Sequence, residues 1–169
     1  MKLKPCIFLD RDGVINEERG EYTYRLEDFR ILPKVKEAFE LLKDAGYLLV
    51  VITNQAGIAK GVYGANDVIQ CHQYLQERTG HLIDGLYYAP QHPTVTESLL
   101  RKPDSLMLEK AIVKFGIDPS QSWMVGDSER DLIAAGKVGV KGILITDQLG
   151  QRSDFEAENL YEAVIKFIL

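Results

Sequence analysis

Cysteine is scarce: Cys6 and Cys71 are the only two in 169 residues, and they fall in unrelated patterns. That argues against a disulfide framework or a cysteine-built metal site, and both are expected as reduced core thiols. Long apolar runs are missing as well. No stretch approaches the ~20 apolar residues needed to cross a bilayer. Met1-Lys2-Leu3-Lys4-Pro5 leads straight into a short apolar strand, without the apolar region and cleavage site of a signal peptide. The cytoplasm is therefore the expected compartment, with no membrane partner. A basic surface is also lacking, since the net charge is −5, which argues against nucleic-acid binding. There is no low-complexity tract, internal repeat or linker. One domain spanning residues 1–169, in a monomer with a real hydrophobic core, is expected.

What is present is an alternation of short apolar runs with amphipathic segments, the pattern of βαβ units around a parallel sheet. Strands are predicted at Cys6–Leu9, Tyr47–Thr53, Ile83–Tyr88, Trp123–Val125 and Gly142–Ile145. Most are almost wholly apolar, as befits strands covered on both faces. A helix is predicted from about Lys34 to Ala45, with Pro33 in its first turn and Gly46 as its stop. Further helices are expected from an Asn66 cap to Arg78, from an Asp104 cap through Phe115, from near Ser128, and over Asp154–Ile168. The fold class is thus α/β, a Rossmann-like parallel sheet flanked by helices. In such sheets the catalytic crevice forms at the carboxyl ends of the strands. The polar residues there are Asp10 and Asp12, then Thr53 and Asn54, then Asp127.

In Phe8-Leu9-Asp10-Arg11-Asp12-Gly13, two carboxylates follow a buried strand, which is costly without compensation. A divalent cation relieves both burial and repulsion, and hard oxygen ligands with open positions suit Mg²⁺. Gly13 permits the sharp exit that lets both carboxylates face one crevice. An EF-hand loop starting at Asp10 fails, because its sixth position needs Gly and holds Ile15. In Val51-Ile52-Thr53-Asn54-Gln55-Ala56-Gly57, a hydroxyl before a small-residue turn can donate to phosphate. Arg101-Lys102-Pro103 offers a point charge and a two-pronged cation. In Gly126-Asp127-Ser128-Glu129-Arg130-Asp131, Asp127 suits a further metal ligand. Asp131, one helical turn on, could orient Lys102 or a metal-bound water. An acidic turn, a plain turn, a surface cation pair and a helix cap would each explain one motif alone. Four such signals in order on one sheet edge favour a shared chemistry.

These motifs make the chain similar to the haloacid dehalogenase superfamily of phosphohydrolases, over nearly its whole length. The resemblance is nearest to the cap-poor branch of histidinol-phosphate phosphatase and D-glycero-D-manno-heptose 1,7-bisphosphate 7-phosphatase. Ile52–Gly61 and Asp84–Pro93 favour the heptose side. The resemblance implies that Asp10 attacks phosphorus to give an aspartyl-phosphate, while Asp12 protonates the leaving oxygen and later activates water. It implies Mg²⁺ held by Asp10, Asp127 and the backbone carbonyl of Asp12, with Asp131 behind them. Thr53 and Lys102 would hold the transferring oxygens with Asn54 beside them, and Arg101 would recognise substrate. A catalytically silent binding protein on this fold is the reading from another class, and the intact motif residues argue against it.

One departure is plain. Many members of the branch carry a structural zinc loop, Cys-x-His and later Cys-x-Cys before Arg-Lys. The matching positions are Ala89, Gln91, Ser98 and Leu100, none of them a zinc ligand, so no structural zinc is expected. His92 remains as a lone surface or packing residue. The only candidate cap is Asn16–Phe29, too short for a separate domain. Arg19, Lys60 and Arg101 could form a second anionic subsite, which makes a sugar bisphosphate the attractive small phosphorylated partner.

Overall fold

The computed structural model describes residues 2–169. Six parallel strands lie in the order β3-β2-β1-β4-β5-β6. They are β1 Cys6–Leu9, β2 Leu48–Asn54, β3 Gly85–Ala89, β4 Trp123–Gly126, β5 Lys141–Ile145 and β6 Glu156–Ala157. The connecting helices are α1 Val35–Asp44, α2 Ala65–Arg78, α3 Leu106–Phe115, α4 Glu129–Lys137 and α5 Leu160–Ala163, which runs on as π-helix through Val164–Ile168.

The two-residue period of a strand sorts the core into two layers. Ile7, Leu9, Leu49 and Val51 pack with Val35, Phe39 and Leu42 of α1, Leu75 of α2 and Leu160 of α5. Their neighbours Cys6, Phe8, Val50 and Ile52 face the other way, onto Met107 and Leu108 of α3 and Ala134 and Ala135 of α4. Both faces are therefore covered, which is why the strands read as unbroken apolar runs. Cys6 and Cys71 are free thiols, both buried. Among the described residues no helix is long and apolar enough to cross a membrane.

The helix expected over Asp154–Ile168 is corrected. Its start is instead β6, whose Glu156 and Ala157 pair with Leu144 and Ile145. The Glu156 carboxylate accepts hydrogen bonds from the backbone N–H groups of Gly150, Gln151, Arg152 and Ser153. That tertiary gain outweighs the helix propensity of the segment. Two expected caps are also displaced. The N-cap of α2 is Gly64, whose N–H donates to Asp67 at 2.8 Å, and α3 follows Ser105, leaving Asp104 to pair with Lys137 at 2.8 Å.

His72 on α2 is buried, and its Nε2 has no hydrogen-bond partner. Burial, then the charge of Arg11, pushes its imidazole from 6.5 down to about 4. The folded chain therefore holds His72 neutral where the unfolded chain protonates it. This contribution is complete above the unfolded value and is lost as pH falls through 6.5 towards 4. Urea denaturation checks it: between about pH 7 and about pH 5, wild type is expected to lose about 2 kcal/mol more than His72→Gln.

Candidate active site

Asp10 follows β1, Thr53 and Asn54 end β2, and Asp127 follows β4, so the sheet delivers them to one edge. The order β2-β1-β4 makes those strands neighbours, and the Asp10 N–H bonds the Val125 carbonyl at 2.9 Å. Here lies a cleft of about 590 Å³ lined by Asp10, Asp12, Asn54, Lys102, Asp127 and Asp131, with Arg101 also on its wall. Residues Gly20–Thr23 form part of its wall, so Asn16–Phe29 borders the opening as expected of a minimal cap. Gly13 turns with φ +84°, and a Cβ there would collide with the Asp127 carboxylate. Backbone sign and space both require glycine.

Lys102 comes from the approach to α3, yet its side chain is 2% exposed beneath the cleft. Its ammonium donates to Asp10 Oδ1 at 2.9 Å and to the Ile52 carbonyl at 2.8 Å, and pairs with Asp131 Oδ1 at 2.6 Å. All three ammonium N–H groups are thereby matched. Burial pulls Lys102 down, but Asp10 and Asp131 outweigh it and hold the ammonium above its ordinary value. Burial pushes the Asp10 carboxyl well up; Lys102 opposes this, and Asp131 and Asp127 add to it. Asp127 is pushed from 3.8 up to about 6, by burial and then by Asp131.

Two neighbouring carboxyls held this far above their normal range are short of positive charge. Carboxylate oxygens of Asp10, Asp127 and Asp131 all lie within 4.8 Å of one another, a donor set of hard oxygens that fits Mg²⁺. Asp131 is the most committed of these, since Lys102 takes Oδ1 and the Ser128 N–H donates to Oδ2 at 3.1 Å. The Asp12 side chain is likewise committed. Its Oδ1 accepts from Arg11 and Asn16, each at 2.9 Å, and its Oδ2 from Gln55 Nε2 at 3.3 Å. One acceptor position on Oδ2 stays open.

Other expectations are revised. Asn54 lines the cleft and its amide also grips Lys102: Nδ2 donates to the Lys102 carbonyl at 3.1 Å, and Oδ1 accepts from the Lys102 N–H at 3.0 Å. It places the lysine with one Nδ2 hydrogen, and the second remains for the cleft. Thr53 is 1% exposed beneath the cleft, with its Oγ1 accepting from Gln55 Nε2 at 3.0 Å. Arg19 is not brought to the cleft wall, because Asp28 and Glu21 hold it at 3.4 and 3.8 Å. Lys60 lies outside the wall too, over the Tyr22 ring at 5.7 Å. Arg101 does reach the cleft, where its Nη1 donates to the Gln91 carbonyl at 3.3 Å. Arg130 joins it, a residue that sequence reasoning passed over, and so does His92. A basic residue directly before Asp131 was the only available signal for Arg130.

The segment matching the zinc loop is tied by backbone contacts. Val95 and Thr96 N–H groups bond the His92 carbonyl at 2.9 and 3.0 Å, and the Ala59 N–H bonds the Pro90 carbonyl at 3.1 Å. His92 Nδ1 meets Thr94 Oγ1 at 2.7 Å.

The doubly wound sheet and its buried carboxylate–lysine cluster define a phosphate-handling hydrolase. Comparison with known proteins agrees. The family described as HAD-hyrolase-like matches residues 99–166. D-glycero-beta-D-manno-heptose-1,7-bisphosphate 7-phosphatase of Haemophilus ducreyi is 37% identical, over 95% of this chain and 97% of its own. The D-glycero-alpha-D-manno-heptose-1,7-bisphosphate 7-phosphatase of Burkholderia mallei is 38% identical, over 87% and 82%. The D,D-heptose 1.7-bisphosphate phosphatase of B. bronchiseptica, solved with magnesium and phosphate, superposes with a TM-score of 0.86 at 25% identity, over 95% and 96%. The chain belongs to the haloacid dehalogenase-like hydrolases and is a phosphatase.

The charge cluster makes a stability prediction. Lys102→Met leaves Asp10 and Asp131 buried without their cation, and is expected to cost about 3–5 kcal/mol in urea denaturation with chelator present. Adding Asp131→Asn removes one stranded charge and is expected to recover part of that loss. A Lys102→Met chain as stable as wild type would contradict the pairing.

Proposed function

We propose that the chain removes the C7 phosphate of D-glycero-D-manno-heptose 1,7-bisphosphate through a phosphorylated Asp10. The observation carrying this reading is the spacing of charge in the cleft. Lys102 sits under Asp10 at the floor, while Arg101 and Arg130 stand on the wall. One phosphate would react at the floor as the arginines hold the other. Arginine suits that task, because its planar fork takes two oxygens of a phosphate at once.

An Asp10 carboxylate oxygen forms the new bond to phosphorus as the bond from phosphorus to the sugar oxygen breaks. Asp12 gives that oxygen its proton, then takes one from the water that attacks the aspartyl-phosphate, and inorganic phosphate leaves. Asp10, Asp127 and the Asp12 carbonyl would hold Mg²⁺, which offsets the repulsion between carboxylate and phosphate. Lys102 adds fixed positive charge beside Asp10, and Asp131 keeps it there. Thr53, buried next to Gln55, supports the same floor. Uncatalysed monoester hydrolysis is so slow that enzymes accelerate it by up to about 10²¹-fold, which calls for all these groups together.

Phosphate release from both anomers of the bisphosphate and from histidinol phosphate tests the substrate. The alpha- and beta-named relatives match at 38% and 37% identity, so both anomers are needed. Turnover is expected on a heptose bisphosphate and not on histidinol phosphate; the reverse order would overturn the assignment. Asp10→Asn is expected to abolish turnover with an unchanged circular dichroism spectrum. Near wild-type rates in that variant would exclude Asp10 as nucleophile.

We also propose that activity requires Mg²⁺ and that no structural zinc is bound. Structural zinc needs four nitrogen or sulfur ligands, and Ala89, Gln91, Ser98 and Leu100 supply none. Elemental analysis after exhaustive dialysis is expected to find no stoichiometric zinc. One tightly held zinc per chain, with a chelator lowering the melting temperature, would refute this.

A further inference from the structure

Asp12 is restrained by residues beyond its own turn, and the chain of contacts ends on a tyrosine. Gln55 is 3% exposed. Its Nε2 reaches Asp12 Oδ2 at 3.3 Å and Thr53 Oγ1 at 3.0 Å, while its Oε1 accepts from the Tyr63 hydroxyl at 2.6 Å. The two ends of an amide are nearly the same shape but opposite in hydrogen bonding. A swapped amide would set Oε1 against the Asp12 carboxylate. The Tyr63 hydroxyl selects the orientation in which Asp12 meets a donor.

Tyr63 is itself seated by design of the loop around it. Its ring stacks on Tyr24 at 5.0 Å and meets Tyr22 edge-on at 5.8 Å. Gly57 makes room for it, since a Cβ there would run into the Tyr63 ring. Burial pushes the phenol from 10.0 up to about 12, so it stays a donor at neutral pH.

We propose that Tyr63 is a positioning residue: its hydroxyl fixes the Gln55 amide, and Gln55 aims the Asp12 carboxyl at the leaving oxygen. Asp12 Oδ1 takes two donors and Oδ2 takes one. A carboxylate has about four acceptor positions, and the one left on Oδ2 is where the transferred proton resides. That proton passes to the sugar oxygen as its bond to phosphorus breaks. This inference rests on Asp12 being the proton carrier of the proposed mechanism.

Leaving groups separate aim from mere packing, because an alkoxide needs the proton and a nitrophenolate does not. In Tyr63→Phe the ring remains and only the hydroxyl is lost. Its kcat/KM on the heptose bisphosphate is expected to fall about 10-fold, with a change of less than about twofold on p-nitrophenyl phosphate. Gln55→Leu is expected to give the same split, and adding Tyr63→Phe to it to cause no further loss. Equal falls on both substrates, or no fall, would overturn the role of Tyr63. Asp12→Asn run alongside distinguishes the two levels. If it shows the split and Tyr63→Phe does not, only the positioning role fails. If Asp12→Asn shows no split, the proton-carrier reading fails and takes this inference with it.

Discussion

The structure turns on one buried cation. Lys102 is 92 residues from Asp10 in sequence, yet its ammonium lies 2.9 Å from that carboxylate and 2.6 Å from Asp131. Bringing three acidic side chains to one sheet edge would be unfavourable without it, because desolvation and mutual repulsion act together. Several neighbours serve its placement. The Asn54 amide clamps the Lys102 backbone from β2, and the Ser128 N–H holds the second oxygen of Asp131. The same N-terminal turn of α4 that is capped by Ser128 thus fixes a counter-ion for the site. Helix capping and site electrostatics are one arrangement here, not competing explanations.

A second arrangement governs the turn after β1. Arg11 is 1% exposed, with Nη2 donating to Asp12 at 2.9 Å and to the Thr23 carbonyl at 2.7 Å, and its guanidinium lies over Phe29. Its Nε and Nη1 have no partner. A buried arginine left partly unmatched is costly, so its contacts must matter to the folded state. They join the short segment beside the cleft to the acidic turn. The aromatic contacts of Tyr22 and Tyr24 with Tyr63 join that segment to the loop after β2. A minimal cap can hold its shape this way without a core of its own.

Much of this was legible in the sequence because it depends on local pattern. Apolar runs ending in Asp, Thr or Gly-Asp marked β1, β2 and β4 and the edge they share. What was not legible depends on partners far along the chain. Arg11 reads as the middle of Asp-x-Asp until the fold surrounds it. Nothing local to Asn54 shows that its amide also clamps the Lys102 backbone. Arg19 and Lys60 read as cleft cations until Asp28, Glu21 and Tyr22 engage them. The strand at Glu156–Ala157 reads as helix because two residues carry too little periodicity, and four backbone donors to one carboxylate leave no mark in sequence.

The floor and the rim of the cleft are therefore constrained differently. Asp10, Lys102, Asp127 and Asp131 are set by strand order and by interlocking charges, where removing one member strands the others. Arg101, His92 and Arg130 sit on loops or an exposed first turn, and the loop around His92 is held mainly by its own backbone. Changes in such a rim would leave the charges beneath it in place. The floor is tied to strand order, whereas Arg101 on the rim rests on a local contact with the Gln91 carbonyl. In the proposed reaction Lys102 and Asp10 meet the phosphate that leaves, so a choice between anomers would fall to the rim, where Arg101 and Arg130 stand.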